Sequence, residues 1–374
     1  MSAQEFIAER VKSIGSSGIR RVFDLGATLK DPINLSIGQP DFDVPAAAKE
    51  AMKDAVDKGC NGYTLTRGIP TLRERIARQI KDDFDWEPEV FVTSGVSGGL
   101  LLAMMACLNP GDEVLIGDPY FVSYPYLVEL AGGVPVTVPL YDDFKLSSER
   151  FAEAITDRTK MILVCSPSNP TGVVYRPDEM RAISQLARKH NLLIASDEIY
   201  RVLSYGEAPS SVASFAPERT LLLGGFGKSY GMTGWRMGYA AGPSEIIGQM
   251  AKLQQYTFVC APQPAQHATL VAMDIDMSGK VREYEQKRDL VCKELHGVFE
   301  FVVPGGGFYV FPKVPEGFSS STSFVEQAIS RNVLIIPGEA FSKRDTHFRI
   351  SYAAPNDKIR QGCEILRDLA VKGA

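Results

Sequence analysis

Lys228 is the residue of this sequence whose setting best suits covalent chemistry. It follows an apolar run at residues 221–223 and a turn rich in glycine, and Arg236 lies eight residues further on. An amine just behind a buried strand is desolvated, which lowers its pKa and makes it a nucleophile toward carbonyl carbon. Taken alone, the segment is more often a surface turn with two ordinary cations.

A carboxylate and a phenol stand where another apolar run ends. Asp197 follows the run at residues 192–196, and Tyr200 comes three positions later. Ligands of open α/β sheets gather at the carboxyl ends of the strands. A carboxylate there can hold a positive ring nitrogen, and a phenol can donate to a ring oxygen. Alternatively, Asp197 caps a helix, and the two roles are compatible.

Asn169 lies in a loop that two prolines restrict. The loop follows the apolar run at residues 161–165 and reads SPSNPTG. A fixed turn suits a side-chain amide that must point in one direction. A plain polar loop is the alternative, because such dipeptides are common in loops.

A glycine-rich turn connects a further strand to a helix. Residues 92–100 read VTSGVSGGL. Free backbone N–H groups at the N-terminus of a helix bind phosphate, so this turn is a candidate phosphate site. A plain turn between strand and helix is the alternative.

Apolar runs alternate with amphipathic segments through the middle of the chain. The alternation predicts an α/β fold with a mostly parallel sheet that helices cover on both faces. Expected strands lie at 90–93, 114–117, 134–138, 161–165, 192–196 and 221–223, with weaker candidates at 173–174 and 239–241. Expected helices lie at 98–108, 124–131, 147–154, 177–190 and 244–256.

Both ends of the chain are predicted to form a smaller unit. A helix and a strand precede residue 38, and a long helical stretch at about 264–296 leads into strands near 299–303, 307–311, 333–336 and 348–352. We expect a continuous helix at the boundary rather than a flexible linker. Residues 40–280 would then form the large domain, and residues 1–39 with 281–374 the small domain.

In their order and amino-acid sequence, these segments resemble the class I and II aminotransferases, and especially the aspartate and aromatic aminotransferases. Members of this family are pyridoxal-phosphate enzymes of fold type I. The most specific matches are SPSNPTG and GKSYGMTGWRMGY, and the resemblance covers nearly the whole chain. Further matches are LSIGQPDFDVP, GYTLTRGIPTLRERIA, DPYFVSY, SDEIY and FRISYA. The resemblance implies a large domain with a mostly parallel seven-stranded sheet between helices, and a smaller α+β domain from both termini.

The resemblance also implies roles around the cofactor. Lys228 corresponds to the lysine that holds pyridoxal phosphate as a Schiff base and later carries a proton. Asp197 corresponds to the carboxylate that keeps the pyridinium nitrogen protonated, so that the ring can absorb electrons. Asn169 and Tyr200 correspond to the donors to the phenolate oxygen of the ring.

Further correspondences concern the substrate. Phe121 matches the aromatic ring that stacks on the cofactor, and we expect it and Asn169 to face the substrate as well. Core packing is the alternative for Phe121, and the better explanation for Tyr124. Arg349 corresponds to the arginine that binds the substrate α-carboxylate, for which its planar fork is suited. Gly38 corresponds to a backbone contact near that carboxylate.

The phosphate end of the site follows from the same resemblance. Arg236 corresponds to the arginine that binds the phosphate, and the N–H groups of Val96 and Ser97 would complete that cradle. Tyr63 corresponds to a tyrosine that reaches the phosphate from a second subunit, which implies a homodimer.

The sequence departs from the family pattern at one place. Many members carry serine three residues before the lysine or directly before it, whereas this chain has Gly225 and Gly227. One hydroxyl contact to the phosphate is therefore missing. A neutral hydrogen bond contributes about 0.5–1.5 kcal/mol, so we expect cofactor binding to survive, with Ser94 or Ser97 as possible substitutes.

Composition limits the possible partners. With 40 Lys and Arg against 45 Asp and Glu, the net charge is −5, which gives no general attraction for nucleic acid or anionic lipid. The uncharged stretch 90–111 contains glycines, serines and a proline, so we expect a strand and a helix there and no membrane span. Six cysteines without CxxC spacing and four scattered histidines predict reduced thiols in the cytoplasm and no metal site.

We therefore expect a cytoplasmic, homodimeric aminotransferase that moves the α-amino group of an amino acid to a 2-oxo acid. The expected acceptor is 2-oxoglutarate, and the expected kinetics are ping-pong. A pyridoxal-phosphate β-lyase acting on sulfur amino acids would share the same residues and is the alternative. The amino-acid class stays open. Arg67 could bind a second carboxylate, although a solvent-exposed position at a dimer edge explains it better.

Overall fold

A seven-stranded sheet lies at the centre of the structure, a computed structural model that describes residues 3–12, 14–15, 18–26, 29–206 and 209–373. In chain order, the strands of the described residues are β1 Ile33–Asn34, β2 Glu89–Ser94, β3 Glu113–Asp118, β4 Val134–Pro139, β5 Thr159–Cys165, β6 Leu193–Asp197, β7 Thr220–Gly225, β8 Met237–Gly242, β9 Tyr309–Val310, β10 Val333–Leu334, β11 Ile336–Pro337 and β12 Phe348–Ser351. The central sheet uses β2 to β8, and the other strands form two small sheets.

The large sheet has the strand order β2-β8-β7-β6-β5-β3-β4. Only β8 runs antiparallel to its neighbours β2 and β7, so β3, β5, β6 and β7 all end at the same edge. Two small sheets, β1-β10 and β11-β12-β9, come from the two ends of the chain. The expected fold, a mostly parallel seven-stranded sheet with a smaller α+β part from both termini, is confirmed.

Helices cover the large sheet on both faces. The helices are α1 Glu9–Lys12, α2 Gly18–Gly26, α3 Ala46–Asp57, α4 Pro70–Phe84, α5 Gly95–Cys107, α6 Ser123–Leu130, α7 Ser148–Glu153, α8 Pro177–Lys189, α9 Ser244–Gln255, α10 Gln263–Ala272, α11 Ser278–Leu295, α12 Ser321–Ser330 and α13 Asn356–Gly373. None of those within the described ranges is long and apolar enough to cross a membrane.

The core follows the alternation of side chains along each strand. In β3, Val114 and Ile116 pack on one face of the sheet, in the cluster that contains the apolar residues of α5 and α9. Leu115 points to the other face and packs in the cluster that contains those of α8. Both faces of the sheet are therefore buried, which is why its strands are almost continuously apolar.

The expected strands of the large sheet all form, including the weak candidate at 239–241, which lies in β8. The candidate at 173–174 is wrong. Ser168 N–H donates to the carbonyl of Val173, and Val173 N–H donates to the hydroxyl of Thr171, so local turn bonds replace a ladder.

The strand expected at 299–303 is also wrong. Phe299 is buried against Phe324 and Phe348, whereas Val303 is 60% exposed. The apolar residues of this segment therefore pack as side chains on neighbouring elements without forming a ladder. The expected region 333–336 divides into β10 and β11, which belong to different small sheets.

The continuous helix expected over 264–296 is wrong as well, because α10 ends at Ala272 and α11 begins at Ser278. Asp276 accepts hydrogen bonds from the backbone N–H and the hydroxyl of Ser278, and so satisfies groups at the start of the second helix. The domain boundary itself, placed at residues 39/40 and 280/281, stays a prediction.

A buried polar cluster attaches the segment after β1 to α11. Lys287 is 5% exposed and donates to Asp41. Tyr284 donates its hydroxyl hydrogen to Asp41 Oδ1 at 2.6 Å and accepts from the N–H of Asp41 at 3.0 Å. Because the segment that carries Gly38 ends at this cluster, α11 fixes its position.

The two edges of the large sheet differ. At one edge, the N–H of Val92 in β2 donates to the carbonyl of Arg67, and Arg73 Nε donates to the carbonyl of Val90 at 3.0 Å. At the other edge, β4 reads VPVTVP and, within the described ranges, pairs with β3 alone.

Gly238 lets β8 pass very close to the start of α5. A Cβ on Gly238 would lie 2.7 Å from the carbonyl carbon of Gly95 and 2.8 Å from the nitrogen of Val96. Backbone atoms cannot give way as a flexible side chain can, so the first turn of α5 would have to move.

We therefore expect Gly238→Ala to destabilise the protein by about 1–3 kcal/mol, because overpacked positions cost that much. The measurement is the denaturation midpoint of the purified protein. Gly279→Ala is the matched control, since Gly279 lies in α11 with no atom within 4 Å of an added Cβ. It should be neutral or stabilising. Equal midpoints for the two variants would contradict the close approach.

Candidate active site

One cavity of about 380 Å³ opens where the parallel strands end and α5 begins. Residues near both ends of the chain also line it. Ten of the eleven residues predicted for the site line it, and Tyr63 does not. The ten are Gly38, Val96, Ser97, Phe121, Asn169, Asp197, Tyr200, Lys228, Arg236 and Arg349.

Lys228 lies half-buried in this cavity, shortly after the end of β7. Its amine donates a hydrogen bond to the carbonyl oxygen of Gly38. Burial, and then the positive charges of Arg349 and Arg236, lower the pKa of Lys228 to about 8. Asp197 opposes this shift. A substantial fraction of the amine is therefore uncharged at mildly alkaline pH, as nucleophilic attack on a carbonyl requires.

Asp197 ends β6 and faces the same cavity. Its Oδ2 accepts from the hydroxyl of Tyr124 at 2.7 Å, and its Oδ1 accepts from the N–H of Ile199 at 3.2 Å. Burial is the main cause that raises the pKa of Asp197 to about 6. It is ionised at neutral pH, and within the described part of the chain it forms no salt bridge.

Arg349, on β12, is held by both terminal nitrogens. Nη1 donates to Asn169 Oδ1 at 3.0 Å, and Nη2 donates to the carbonyl of Ser36 at 2.8 Å. The guanidinium carbon lies 4.3 Å from the ring centre of Tyr309 and 4.8 Å from that of Phe341. Nε is buried and, among the described residues, has no hydrogen-bond partner. Burial disfavours the charged form of Arg349 and so lowers its pKa. An anion bound in the cavity would stabilise that charge.

Arg236 and the start of α5 give the cavity a second positive region. Arg236 adopts a left-handed conformation with φ 57°, and its Nη2 would be 2.7 Å from a Cβ on Gly95. The guanidinium therefore lies directly on the turn that starts α5. The side chain of Ser94 makes no capping bond, so the first N–H groups of α5, at Val96 and Ser97, are available to an anion.

Phe121 and Tyr124 stand together beside Asp197. Their rings are 5.5 Å apart at 79°. Core packing is an incomplete explanation for Tyr124, because it lines the cavity and bonds to the carboxylate. The N–H of Tyr124 donates to the carbonyl of Phe121 at 3.0 Å, so the spacing of three residues is that of one helical turn and was the signal that could have indicated this.

Tyr309 is a second cavity residue that sequence reasoning missed. Its hydroxyl lies 3.1 Å from that of Tyr200, and both side chains are buried. Nothing in the run FYVF indicates which aromatic ring faces a ligand.

Tyr63 and Arg67 lie outside the cavity. Tyr63 is 84% exposed, and its reach into a second subunit stays a prediction. Arg67 forms a salt bridge with Glu89 at 2.9 Å and is partly exposed. It lines a separate surface hollow and contributes nothing to the cavity of its own chain.

The two glycines in place of serine have a steric counterpart. A Cβ on Gly225 would lie 2.6 Å from Ile199 Cδ1 and 2.9 Å from Val96 Cγ2. These two apolar side chains fill the space that a serine at this position would need. A Cβ on Gly227 would lie 3.2 Å from the Cα of Thr233.

Comparison with known proteins gives this arrangement a family. The family model described as "Aminotransferase class I and II" matches residues 30–366. The chain therefore belongs to the class I and II aminotransferases, and it is an aminotransferase of fold type I.

Named relatives match nearly the full chain. It is 37% identical over 375 residues to the aspartate aminotransferase of Pyrococcus abyssi, with 96% of each chain covered. It is 36% identical over 375 residues to aromatic-amino-acid aminotransferase 2 of Thermococcus litoralis, again with 96% of each covered. The structure of the Thermus thermophilus aspartate aminotransferase with maleate matches with TM-score 0.92 and 35% identity, covering 97% of this chain and 99% of that one.

The bond from Tyr124 to Asp197 can be tested through the pH dependence of stability. The pKa of folded Asp197, about 6, lies above the ordinary value of 3.8 for an aspartate side chain. Its contribution to stability is therefore full below the unfolded pKa and is lost as pH rises through the folded pKa. Tyr124→Phe removes a donor to the charged form, so the folded pKa rises further.

Between pH 5 and pH 8, ligand-free Tyr124→Phe should therefore lose roughly 1 kcal/mol more stability than the unmodified protein. The measurement is the denaturation midpoint across this range. Asp197→Asn is the control background, in which Tyr124→Phe should add no pH dependence. The same added pH dependence in both backgrounds would show that the hydroxyl does not act through Asp197.

Proposed function

We propose that this aminotransferase uses pyridoxal phosphate and moves an α-amino group between an amino acid and a 2-oxo acid. The observation that carries the proposal is that the amine of Lys228, the carboxylate of Asp197 and the guanidinium of Arg236 line one cavity. An aldehyde that carries a ring cation and a phosphate has the three groups that these side chains complement.

The donor set of the cavity fits that cofactor. Asp197 is a buried carboxylate in need of a cationic partner, which a protonated pyridine nitrogen would provide. Arg236 and the N–H groups of Val96 and Ser97 would hold the phosphate. Asn169 and Tyr200 remain for the ring oxygen, and Phe121 for the ring face.

Bound there, pyridoxal phosphate would supply an electron sink that stabilises negative charge at the substrate Cα. The protein would do the rest. Asp197 Oδ2, held by Tyr124, would keep the ring nitrogen protonated. Arg349 would bind the α-carboxylate through its guanidinium, and the rings that stack on it keep water away. Lys228 Nζ, with its lowered pKa, would take the proton from Cα and return it elsewhere.

Finer points belong to the same proposal. We propose ping-pong kinetics with 2-oxoglutarate as acceptor, and a donor of the aspartate or aromatic class, which the names of the relatives support. We also propose a homodimer in which Tyr63 serves the site of the other subunit, supported by its exposure. The free cysteines support a cytoplasmic location.

The domain division is a further proposal. Residues 40–280 would form the large domain, supported by the position of the seven-stranded sheet between Glu89 and Gly242. Residues 1–39 and 281–374 would form the small one, supported by the two small sheets, whose strands all come from these segments.

The proposal predicts a half-reaction that absorbance can follow. The protein is saturated with pyridoxal phosphate and given one amino acid at a time, without an acceptor. We expect one class of amino acid to remove the visible band of the lysine-bound cofactor and to release its own 2-oxo acid. Lys228→Ala should show neither the visible band of a lysine-bound cofactor nor release of a 2-oxo acid. Lys228→Arg, which keeps the positive charge but lacks the nucleophile, should give the same result as Lys228→Ala.

Two other outcomes would count against aminotransfer through Lys228. Pyruvate and ammonia with an unchanged cofactor band would indicate the β-lyase instead. Normal turnover by Lys228→Ala would remove this lysine from the mechanism.

Arg349 should act mainly on substrate affinity. We expect Arg349→Ala to raise KM for both the amino acid and the 2-oxo acid roughly 10- to 100-fold, because a charge-assisted pair is lost. The visible cofactor band should persist, which excludes misfolding. Arg344→Ala is the control, since that guanidinium stacks on Tyr141, 4.6 Å from the ring centre, outside the cavity. An unchanged KM in Arg349→Ala would exclude the assigned role.

A further inference from the structure

The hydroxyl groups of Tyr200 and Tyr309 form a pair inside the cavity. Their oxygens are 3.1 Å apart, and the rings meet edge to face at 83°. Within the described part of the chain, neither hydroxyl has another hydrogen-bond partner. Both residues line the cavity, and both side chains are buried.

Tyr309 has little freedom to turn away. It lies on β9, opposite Ser351 of β12. The guanidinium of Arg349 covers its ring at 4.3 Å, and the ring of Phe308 packs 4.6 Å from it. A Cβ on Gly38 would lie only 3.0 Å from its hydroxyl oxygen. The oxygen of Tyr309 is therefore a fixed point against which Tyr200 is set.

The direction of the hydrogen bond follows from the surrounding charges. Each hydroxyl has one hydrogen, so either residue can be the donor. The positive charge of Arg349 lies directly on the ring of Tyr309 and favours that hydroxyl as the donor. The titratable groups that face the pair are Cys165 and Arg349, and the thiol of Cys165 is neutral because burial raises its pKa. Tyr200 then accepts, and its own hydrogen is free to point into the cavity.

We propose that Tyr309 is a positioning residue, which donates to Tyr200 and so fixes Tyr200 as a donor to the ring oxygen of the cofactor. A hydroxyl that accepts a hydrogen bond becomes a stronger donor, because hydrogen bonds in a chain polarise one another. This inference rests on the proposed function, since it needs pyridoxal phosphate at Lys228.

The consequence is a shift in a proton equilibrium. A donor to the ring oxygen stabilises negative charge there, and that oxygen otherwise helps to retain the proton on the nitrogen that joins Lys228 to the cofactor. Stronger donation by Tyr200 lowers the pKa of that nitrogen. Without the hydroxyl of Tyr309, the pKa rises.

The test is a pH titration of the visible absorbance of the cofactor-loaded protein. Tyr309→Phe should raise the midpoint by about half a pH unit, the equivalent of one weakened hydrogen bond. Tyr200→Phe should raise it further. In the double variant, the change at Tyr309 should add nothing to that of Tyr200→Phe.

Tyr352→Phe is the matched control. Tyr352 is equally buried, and its hydroxyl lies 3.3 Å from that of Tyr205, but it does not line the cavity. If loosened packing alone were the cause, the midpoint of Tyr352→Phe would shift as well. The proposal predicts that Tyr352→Phe keeps the midpoint of the unmodified protein.

Each other outcome overturns the inference in a distinguishable way. An unshifted midpoint in Tyr309→Phe, beside a shifted one in Tyr200→Phe, shows that Tyr309 does not act on Tyr200. If Tyr309→Phe shifts the midpoint equally in the unmodified protein and in Tyr200→Phe, then Tyr309 acts without Tyr200. Absence of a visible band in the unmodified protein with pyridoxal phosphate overturns the proposed function, and this inference with it.

Discussion

The site depends on keeping three charged side chains out of water without letting them neutralise one another. Lys228, Asp197 and Arg349 line one cavity, and within the described ranges none forms a salt bridge. The shifts of Lys228 to about 8 and of Asp197 to about 6 each correspond to roughly 3 kcal/mol against the charged form, from burial and, for Lys228, also from the charges of Arg349 and Arg236. The fold must supply that free energy elsewhere. In return, each group stays ready for a ligand of the opposite charge.

Neutral and aromatic groups achieve this separation. Tyr124 stabilises the charge of Asp197 by a hydrogen bond without cancelling it, and two rings hold Arg349 flat. Salt bridges that could compete lie further out. Lys287 and Asp41, for example, pair with each other at the base of the segment that carries Gly38. The charged side chains that stabilise the fold through salt bridges are thus different from those that line the cavity.

How far the sequence predicts the molecule depends on the range of each interaction. The strands of the large sheet were predictable because burial on both faces makes them apolar, and the ten predicted residues that line the cavity were predictable because they follow strand ends or match family motifs. Tyr124 and Tyr309 escaped, since their roles come from hydroxyl partners 73 and 109 positions away in the chain. The apolar segment at 299–303 failed for a similar reason: its packing partners are side chains far along the chain, which local pattern cannot reveal.

The edge strand β4 shows how a large open sheet can avoid pairing with a strand of another chain. The N–H groups of Val134 and Leu140 point toward β3, so by alternation those of residues 135, 137 and 139 would point outward. Two of these three positions are proline and have no hydrogen to donate. A strand from another chain would find only Thr137 as a donor. The edge thus resists the intermolecular pairing that leads to aggregation.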